Sequence, residues 1–493
     1  MYEVDLLDGS DRHSLSTPTA APPNSRHFAM TPSLLKSPRW RWSRTGCAST
    51  FPSPSTKPRN STPGLETGKA IRDRDDEPNH CGWMTFFVLT DARTLWWRRR
   101  RRRASNRVSA VSGPIAMQER IKVAIAGVGN CASALVQGVE YYRNRNAAPK
   151  GVMRSVIGGY HCADIEFVAA FDIDRRKIGR PLEDAIFAKP NCTRVFQGAL
   201  PVSNVVVQAG PIFDGIAPHM MDYPDDMAFR SADLEPTDIA AALRRSGAEV
   251  LVCYLPVGSE QAVKHYAQAC LDAGVAMVNS VPVFIASNPE WAQKFSDAGL
   301  PIIGDDIKSQ FGATILHRVL ARLFADRGIG LDRTYQLNTG GNTDFLNMLE
   351  RRRLRSKKIS KTESVLSQFD EFIDTRNVHI SPSDYVPWQG DNKVCFIRME
   401  GHGFGDAPIE LELRLSVQDS PNSAGVVIDA IRCAKLALDR GEAGPLLAPS
   451  AYYMKRPPRQ FRDSIARDAC DAFIDGRPFP LPEESAAAAT AAG

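Results

Sequence analysis

The chain has little of what marks a disulfide-rich, metal-binding or membrane protein. Its ten cysteines are scattered over 493 residues without a C-x-x-C pair, which is typical of reduced thiols and predicts a cytoplasmic protein. No apolar run reaches the roughly 18 residues that a membrane helix needs, so we expect no membrane partner. His161, His317, His379 and His402 lack the spacing of metal ligands, so the histidines identify no metal.

Residues 1–116 differ in composition from the rest of the chain. They are rich in Ser, Thr, Pro, Arg and Trp and include the six arginines Arg98–Arg103, which contribute to the net charge of +5. Such a segment cannot bury enough apolar surface to fold. We interpret it as a disordered extension or an over-long start assignment, because Met117 lies four residues before the first predicted strand. The alternative is a basic nucleic-acid or membrane-surface patch, but we expect no nucleic-acid partner for the folded part.

An apolar run at 121–126 leads into a glycine loop. The run has the pattern of a buried parallel strand, and apolar residues at helical spacing follow the loop. Strand, G-x-G-x-x-A loop and helix in this order predict a dinucleotide-binding turn. Gly127 allows the tight turn and Gly129 lets the backbone approach a pyrophosphate. The loop residues expected at the cofactor are Gly127, Val128, Gly129, Asn130 and Cys131.

An acid should end the second strand of such a domain and bind the adenosine ribose. Asp172 ends the apolar run 167–171, about 45 residues after Gly127 instead of the usual ~20, and a polar insertion accounts for the difference. A carboxylate at this place favours NAD because it would repel the 2′-phosphate of NADP. NADP remains an alternative, because Arg175 and Arg176 are close enough in the sequence to bind that phosphate. The structural alternative is that Asp172 binds no cofactor and is an ordinary surface acid at the end of a strand.

Farther along, strands and helices alternate as in a doubly wound α/β domain. The expected strands are 205–207, 250–255, 276–279 and 301–304, and the expected helices are 236–245 and 261–273. The loop after residue 255 should touch the cofactor through Pro256 and Gly258.

The pattern changes after Asp306 and predicts an α+β second domain. The expected elements are a long helix at 308–324, strands at 334–338, 394–399 and 409–417, and helices between 344 and 372. Asp419-Ser420-Pro421 should cap a further helix, and residues 426–438 of that helix should pack back on the first domain.

Several polar segments are candidates for chemistry. They are 304–310, 338–344 and 355–361, together with the isolated lysines Lys393 and Lys455. The first segment should lie between a strand end and a helix start. Helix capping by Asp306 is the structural alternative, but capping needs only one acid, and the segment has two adjacent acids and a lysine. The second has glycines that permit close backbone approach, with an ordinary turn as the alternative. In the third, Lys357 and Lys361 would share one helix face, although a solvated basic face usually explains such a run.

These segments resemble the inositol-3-phosphate synthase family in its short bacterial form. The motifs run in order between about residue 120 and residue 474: GVGNCASALVQGVEYY, YLPVGSE, GDDIKSQ, GGNTDFLNMLE, SKKISKTE, DSPNSAGVVIDAIR and YYMKRPP. The resemblance implies an NAD-binding Rossmann domain at 117–309, an inserted α+β catalytic and tetramerisation domain at 310–418 and a C-terminal return to the Rossmann domain at 419–476. Residues 477–493 are expected to form a disordered tail, because the stretch from Ser485 to Gly493 is Ala-rich. Longer members have a lysine where this chain has Gly405-Asp406-Ala407-Pro408, and Lys393 is the candidate replacement.

The resemblance also implies an activity. It would be conversion of D-glucose 6-phosphate to 1D-myo-inositol 3-phosphate by a homotetramer, the first step of inositol and inositol-phospholipid biosynthesis. Oxidation at C5, enolisation, aldol closure and reduction would regenerate NAD in each turnover. A divalent cation near the NAD pyrophosphate is implied too, but the sequence shows no separate ligand set for it. The alternatives are an NAD-dependent sugar-phosphate dehydrogenase and a non-catalytic NAD-binding regulatory protein.

Site residues follow from the matching motifs. The catalytic residues implied are Lys357, Lys361, Lys393, Lys455, Asp306, Asp344 and Asp419, and Ser309, Asp344 and Lys357 would also contact the cofactor. Ammonium groups would stabilise the oxyanions that develop at C5 and C1 beside a dianionic phosphate. We assign Lys357 to proton transfer at the C5 oxygen and Lys455 to C1 and the phosphate, with the acids orienting lysines and setting their pKa values. A Schiff base from one lysine is an open alternative that the mechanism does not require.

Overall fold

The computed structural model describes residues 120–143, 149–369 and 373–481. These residues form two large sheets with the helices that pack on them, and a small two-stranded sheet of β2 and β3. The strands are β1 (Ile121–Ala126), β2 (Val156–Ile157), β3 (Tyr160–His161), β4 (Ile165–Asp172), β5 (Val207–Ala209), β6 (Val250–Cys253), β7 (Ala276–Asn279), β8 (Pro301–Ile303), β9 (Gly330–Gly340), β10 (Val378–Tyr385), β11 (Asn392–His402), β12 (Pro408–Gln418) and β13 (Gly444–Pro445). The α-helices are α1 (Asn130–Arg143), α2 (Leu182–Ala185), α3 (Ile239–Ser246), α4 (Glu260–Ala273), α5 (Pro289–Asp297), α6 (Ala313–Asp326), α7 (Thr343–Asn347), α8 (Arg355–Leu366), α9 (Asp419–Arg440), α10 (Leu447–Tyr453) and α11 (Asp463–Ile474).

The first sheet is parallel throughout and has seven strands. Their order is β13-β8-β7-β6-β1-β4-β5, with β1 between β6 and β4 near the middle. The central strands are almost continuously apolar because both faces of the sheet are covered. On one face, residues of α1 and α9 such as Leu135 and Val427 pack against Ile121 and Val123 of β1. On the other face, helices α3, α4 and α5 cover the sheet. The predicted doubly wound α/β fold is therefore confirmed, and the prediction that 426–438 packs on this sheet is correct.

The second sheet is mixed and has four strands in the order β10-β9-β11-β12. β9 pairs in parallel with β10 and antiparallel with β11, and β11 pairs antiparallel with β12. One face packs against α6 and α8 through Cys395, Ile397 and Met399. Strands and helices are segregated here, as an α+β arrangement requires. After this sheet the chain returns, through α9, to the first sheet and adds β13 at its edge beside β8.

The helix predicted at 308–324 is wrong in its start, because α6 begins at Ala313. The N–H of Lys308 donates to the carbonyl of Tyr453 (2.8 Å), and that of Gln310 donates to the carbonyl of Asn422 (2.9 Å). These bonds to distant segments hold the residues before Ala313 in a loop, so the apolar periodicity starts before the helix does.

Other predicted boundaries move by a few residues. The strand expected at 205–207 is β5, which begins at Val207, and the helix expected at 236–245 begins at Ile239 because the Asp238 side chain accepts from Ala241 N and caps it. β10 was not predicted at all. It is an edge strand, and its register with β9 shifts beside Pro382, which breaks the alternation that would have indicated a strand.

Some predictions concern residues outside the described part of the chain. These are the interpretation of 1–116 and that of the tail from residue 482 onward. Residues 144–148 of the polar insertion before β4 are also outside it. Within 120–143, 149–369 and 373–481, no helix combines the length and the apolar character needed to cross a bilayer.

Candidate active site

The glycine loop joins β1 to α1 at the carboxyl edge of the parallel sheet. Gly127 has a φ of +93°, and a Cβ there would lie 2.8 Å from the carbonyl oxygen of Tyr254, so only glycine fits. At Gly129, in contrast, a Cβ would meet no atom within 4 Å. α1 begins at Asn130, directly beside this open space, and its N-terminus carries partial positive charge. The predicted sequence of strand, loop and helix is confirmed.

Asp172 is the last residue of β4, as predicted, and its carboxylate holds the glycine loop. Oδ2 accepts a hydrogen bond from Val128 N (2.7 Å), while Oδ1 accepts from the N–H groups of Ile173 and Asp174. The ammonium of Lys177 lies 3.7 Å from Oδ2. The surface-acid alternative is wrong, because Asp172 is only 9% exposed. A contact with a ribose stays a prediction.

Two adjoining cavities run along the carboxyl edge of the sheet. One borders Asp172 and Gly127, and the other borders Lys357 and Asp306. The residues that line both are Gly129, Phe229, Tyr254, Leu255 and Pro256. The cavities therefore form one elongated cleft that crosses the glycine loop, and a ligand lying over Gly129 would reach both ends.

Some of the remaining predicted cofactor residues line the cleft and others do not. Cys131 and Ser309 line the cleft, and burial raises the pKa of the Cys131 thiol to about 12, so that it stays protonated. The Asn130 side chain accepts hydrogen bonds from the N–H groups of two residues in the neighbouring loop, at 2.7 Å and 3.0 Å. Gly258 packs against Arg353, whose Cβ would lie 2.6 Å from a Cβ at 258, and it is not among the residues that line the cleft.

Four lysines from three parts of the chain line one end of the cleft, and we call them the lysine cluster. Lys357 and Lys361 come from α8, Lys393 comes from β11, and Lys455 follows α10. Residues four apart share one helix face, as predicted for the first two. Lys358 is exposed on another face of α8. A solvated basic face therefore explains Lys358 but does not explain Lys357 and Lys361, which line the cleft.

Three carboxylates accompany the lysine cluster and line the same cavity. Each forms an ion pair with one lysine: Asp344 with Lys357 (3.3 Å), Asp306 with Lys455 (2.8 Å) and Asp419 with Lys393. Four positive charges thus face three negative charges when all groups are ionised. The structure brings together seven residues that the sequence places in six separate segments.

The carboxylates set the charge of Lys357. Burial opposes the ammonium form, but Asp344, Asp306 and Asp419 outweigh it and raise the pKa of Lys357 above its usual range. Burial also opposes ionisation of Asp306, but Lys455 and Lys357 together lower its pKa. Both groups are therefore charged at neutral pH.

Lys361 is the exception in the lysine cluster. Among the described residues no carboxylate lies at ion-pair distance from its ammonium, and Lys361 is 8% exposed. Burial and the positive charges of Lys357, Lys455 and Lys393 lower the pKa of Lys361 to about 7. This amine can therefore exist without its proton near neutral pH, as a general base requires.

Asp306 lies in a turn after β8, and the helix start predicted there is wrong. Its φ is +63°, and its N–H donates to the carbonyl of Val281 at 3.1 Å. The Ser360 hydroxyl donates to one carboxylate oxygen of Asp306, and the Lys455 ammonium donates to the other. Helix capping is not its role.

Asp419 is the first residue of α9, but it is not the cap that the sequence predicted. Its carboxylate pairs with Lys393 instead. The cap comes from outside the helix: Asp419 N donates to the carbonyl of Asp391 (2.9 Å), and Ser420 N donates to Oδ2 of Asp391 (3.2 Å). Because Asp391 satisfies the first N–H groups, Asp419 is free to face the cavity.

No metal centre is apparent in the described part of the chain. Residues 120–143, 149–369 and 373–481 contain no group of three or more His, Cys, Asp and Glu side chains placed to hold an ion. His317 is buried, and its Nε2 lies 2.9 Å from the Thr334 hydroxyl, which suits a structural role. The described residues thus offer no side-chain cluster for the divalent cation that the resemblance implied.

Known proteins share both the sequence and the fold. A sequence model described as myo-inositol-1-phosphate synthase matches residues 312–420. The inositol-3-phosphate synthase of Mycolicibacterium smegmatis is 56% identical over 362 residues, which cover 72% of this chain and 98% of that protein. The chain belongs to the inositol-3-phosphate synthase family. The Corynebacterium glutamicum inositol-3-phosphate synthase is 55% identical over 361 residues, covering 72% and 98%. The crystal structure of a myo-inositol-1-phosphate synthase-related protein from Thermotoga maritima has a TM-score of 0.60 at 25% identity and covers 73% of this chain and all of that one.

Within this inositol-3-phosphate synthase family member, three polar residues at or beside the site have no individual role in the sequence analysis. Ser360 lies three residues after Lys357 in α8, so the same helix-face rule could have found it. Asn342 precedes the start of α7, and its side chain accepts from two N–H groups, which is an N-cap signal. Asp391 precedes β11 and carries no pattern of its own, because its partners are distant in sequence.

The lowered pKa of Lys361 predicts unusual reactivity toward small acylating reagents. As the pH rises through 7 the amine loses its proton, so labelling should be half-maximal near pH 7 instead of near the ordinary lysine value of about 10.4. Peptide mass spectrometry after brief labelling between pH 5 and 11 measures this. Exposed Lys358 is the internal reference, and labelling of Lys361 only at the pH of an ordinary lysine would contradict the prediction.

Proposed function

We propose that the chain converts D-glucose 6-phosphate into 1D-myo-inositol 3-phosphate, with NAD regenerated in each turnover. The lysine cluster beside the glycine loop is the observation that carries this proposal. A phosphorylated sugar that passes through oxyanions needs preorganised positive charge, which the lysine cluster supplies. Relatives that are 55–56% identical over nearly their full length carry the name of this reaction.

NAD suits the residues of the cleft. The open space at Gly129 leaves room for a pyrophosphate at the start of α1, and Asp172 borders the other end. Arg176, a candidate for a 2′-phosphate, donates instead to Asp174 (2.8 Å) and to the carbonyl of Ala228 (2.8 Å). NAD is therefore favoured over NADP. When bound, NAD would accept the hydride from C5 and later return it.

Lys357 and Lys361 lie on one face of α8 and would serve the C5–C6 side of the sugar. Charged Lys357 would donate a hydrogen bond to the C5 oxygen and stabilise the negative charge that grows there. As the C5 hydride leaves, the C5 hydroxyl proton would pass to solvent water by way of Lys357, which releases one proton as it takes one. A proton would return to the C5 oxygen by the same route when the hydride comes back. Lys361 would take the C6 proton, because its pKa near 7 suits a general base. The enolate carbon C6 could then attack C1.

Lys455 would serve the other end of the new bond. Its ammonium would give a proton to the C1 oxygen, so that cyclisation removes one proton at C6 and supplies one at C1. Asp306 holds this ammonium at 2.8 Å. Lys393, paired with Asp419, would join Lys455 in binding the phosphate. Asp344 would orient Lys357 in the same way.

A turnover assay tests the proposal. With glucose 6-phosphate and NAD, the purified protein should form inositol phosphate while absorbance at 340 nm stays flat, because oxidation and reduction act on one bound intermediate. Product is measured by mass spectrometry. Stoichiometric NADH release would indicate the sugar-phosphate dehydrogenase instead. Binding of NAD without any turnover would indicate the regulatory protein.

We also propose a cytoplasmic homotetramer in which 310–418 serves catalysis and assembly, between a cofactor part at 117–309 and a return at 419–476. α6 supports this, because Val319 and Leu323 lie four apart on it and are 53% and 49% exposed. β12 is an eleven-residue edge strand of the second sheet. An exposed apolar pair on a helix and a long unpaired sheet edge are both features that another chain can cover. The cysteines of the described part are free, as in a reducing compartment.

A further inference from the structure

We infer that Asp391 is a positioning residue for this reaction: one buried carboxylate fixes the starts of the two helices that carry Asp344 and Asp419. The inference rests on the proposed function for its assay. Asp391 lies between β10 and β11, two residues before Lys393, and is 3% exposed. Its side chain does not line the cleft, so it would act through its neighbours.

The first connection runs to α9. The Oδ2 atom of Asp391 accepts from Ser420 N (3.2 Å), and its Oδ1 accepts from the Ser420 hydroxyl (2.8 Å). The carbonyl of Asp391 accepts from Asp419 N (2.9 Å). Gln418, at the N-cap position, makes no side-chain capping bond. Asp391 therefore supplies the cap of a 22-residue helix and fixes the residue that pairs with Lys393.

The second connection runs to α7. The Asn342 amide donates to Oδ1 of Asp391 at 3.1 Å. This bond settles the orientation of the Asn342 side chain, whose oxygen then accepts from Asp344 N (3.1 Å) and Phe345 N (3.2 Å). Asn342 thus caps the short helix that carries Asp344, the partner of Lys357.

The chemistry of the contacts requires a carboxylate. All three side-chain partners of Asp391 are donors, and an ionised carboxylate accepts with both oxygens. Burial and the charge of Asp419 raise the pKa of Asp391 to about 6, which still leaves it ionised at pH 7.5. An amide at this position would direct its NH₂ group at one of the donors. Either Ser420 N would lose its acceptor, or Asn342 would turn over and uncap α7.

The test is Asp391→Asn, compared with Asp429→Asn. Asp429 is a fully buried carboxylate of α9 that pairs with Arg432, away from the cleft. Misplacement of catalytic groups by about 1 Å can cost about 10²-fold, so we expect kcat of Asp391→Asn to fall by about 10²-fold with the KM for NAD little changed. Asp429→Asn should lower the melting temperature and leave kcat near that of the wild type.

Coupling separates positioning from general destabilisation. If Asp391 acts through Asp419, Asp391→Asn should have at least a tenfold smaller effect in an Asp419→Asn background, with product accumulated over hours and measured by mass spectrometry. The inference would be overturned if the losses in kcat of Asp391→Asn and Asp419→Asn multiply in the double variant. A kcat of Asp391→Asn within about threefold of the wild type would also overturn it. If Asp391→Asn does not fold, Ser420→Ala decides: a kcat within twofold of the wild type would overturn it, and a loss of about tenfold is expected. Failure of the proposed function would appear differently, as absence of turnover in the wild type.

Discussion

Replacing Lys357 with alanine is expected to abolish inositol phosphate formation while the fold and most of the NAD affinity remain. Three carboxylates raise the pKa of this lysine, so its charge is present when the C5 oxygen becomes negative. Such an ammonium stabilises the transition state more than the ground state, and its loss therefore falls on kcat. Losing one donor of this kind typically costs about 10²–10³-fold, and a lost proton transfer adds to it.

Lys358→Ala is the matched control, because the two lysines are adjacent in α8 and of equal size. Lys358 points about 100° away from Lys357 and is exposed, so its removal should leave activity near normal. Product formation and thermal melts are measured for both variants. A kcat of Lys357→Ala within a few-fold of the wild type, or greater damage from Lys358→Ala, would contradict the role given to Lys357.

Much of the first sheet could be predicted because its signals are local. The run 121–126 is apolar, as expected of a strand buried on both faces, and Gly127 after it has a φ of +93° that other residues rarely adopt. The second sheet was predicted less well. β10 escaped because Pro382 interrupts a short polar edge strand, and the start of α6 was misplaced because contacts with Tyr453 and Asn422 override helical periodicity.

The candidate site was predictable to the extent that residues share a helix. The spacing of Lys357 and Lys361 placed both on one face, and the structure confirms that. Lys393 and Lys455 carry no local signal, since only the packing of separate elements brings them to the same cavity. Their inclusion depended on family resemblance.

The cap of α9 shows the limit of local rules most clearly. Asp-Ser-Pro is a good start signal, and the helix does begin there. Yet the capping bonds come from Asp391, which no spacing rule connects to Asp419. A local rule predicts that a polar side chain at a helix start bonds the nearest backbone N–H groups. In the folded protein the Asp419 carboxylate pairs with Lys393 instead and faces the site.

Gly129→Val is expected to weaken NAD binding about 100-fold and to lower turnover at limiting NAD, with little cost to the fold. A Cβ at this position would meet no protein atom within 4 Å, so the valine side chain would occupy the space of the pyrophosphate. A steric conflict of about 3 kcal/mol, typical of overpacking, would weaken NAD binding about 100-fold. Bound NAD raises the melting temperature of the wild type by mass action, and at NAD concentrations about tenfold above the wild-type Kd the variant should show almost no rise.

Gly198→Val provides the comparison. This glycine is exposed, and a Cβ there would make an ordinary contact with Val195, 3.4 Å away. It should keep the NAD-dependent rise in melting temperature, while both variants without NAD should melt near the wild type. If Gly129→Val still binds NAD with wild-type affinity, the cofactor does not cross the glycine loop, and the cleft between Asp172 and the lysine cluster would need a different ligand. If it melts far below the wild type without NAD, the space at Gly129 is needed by the fold itself, and the loss of binding would no longer locate the pyrophosphate.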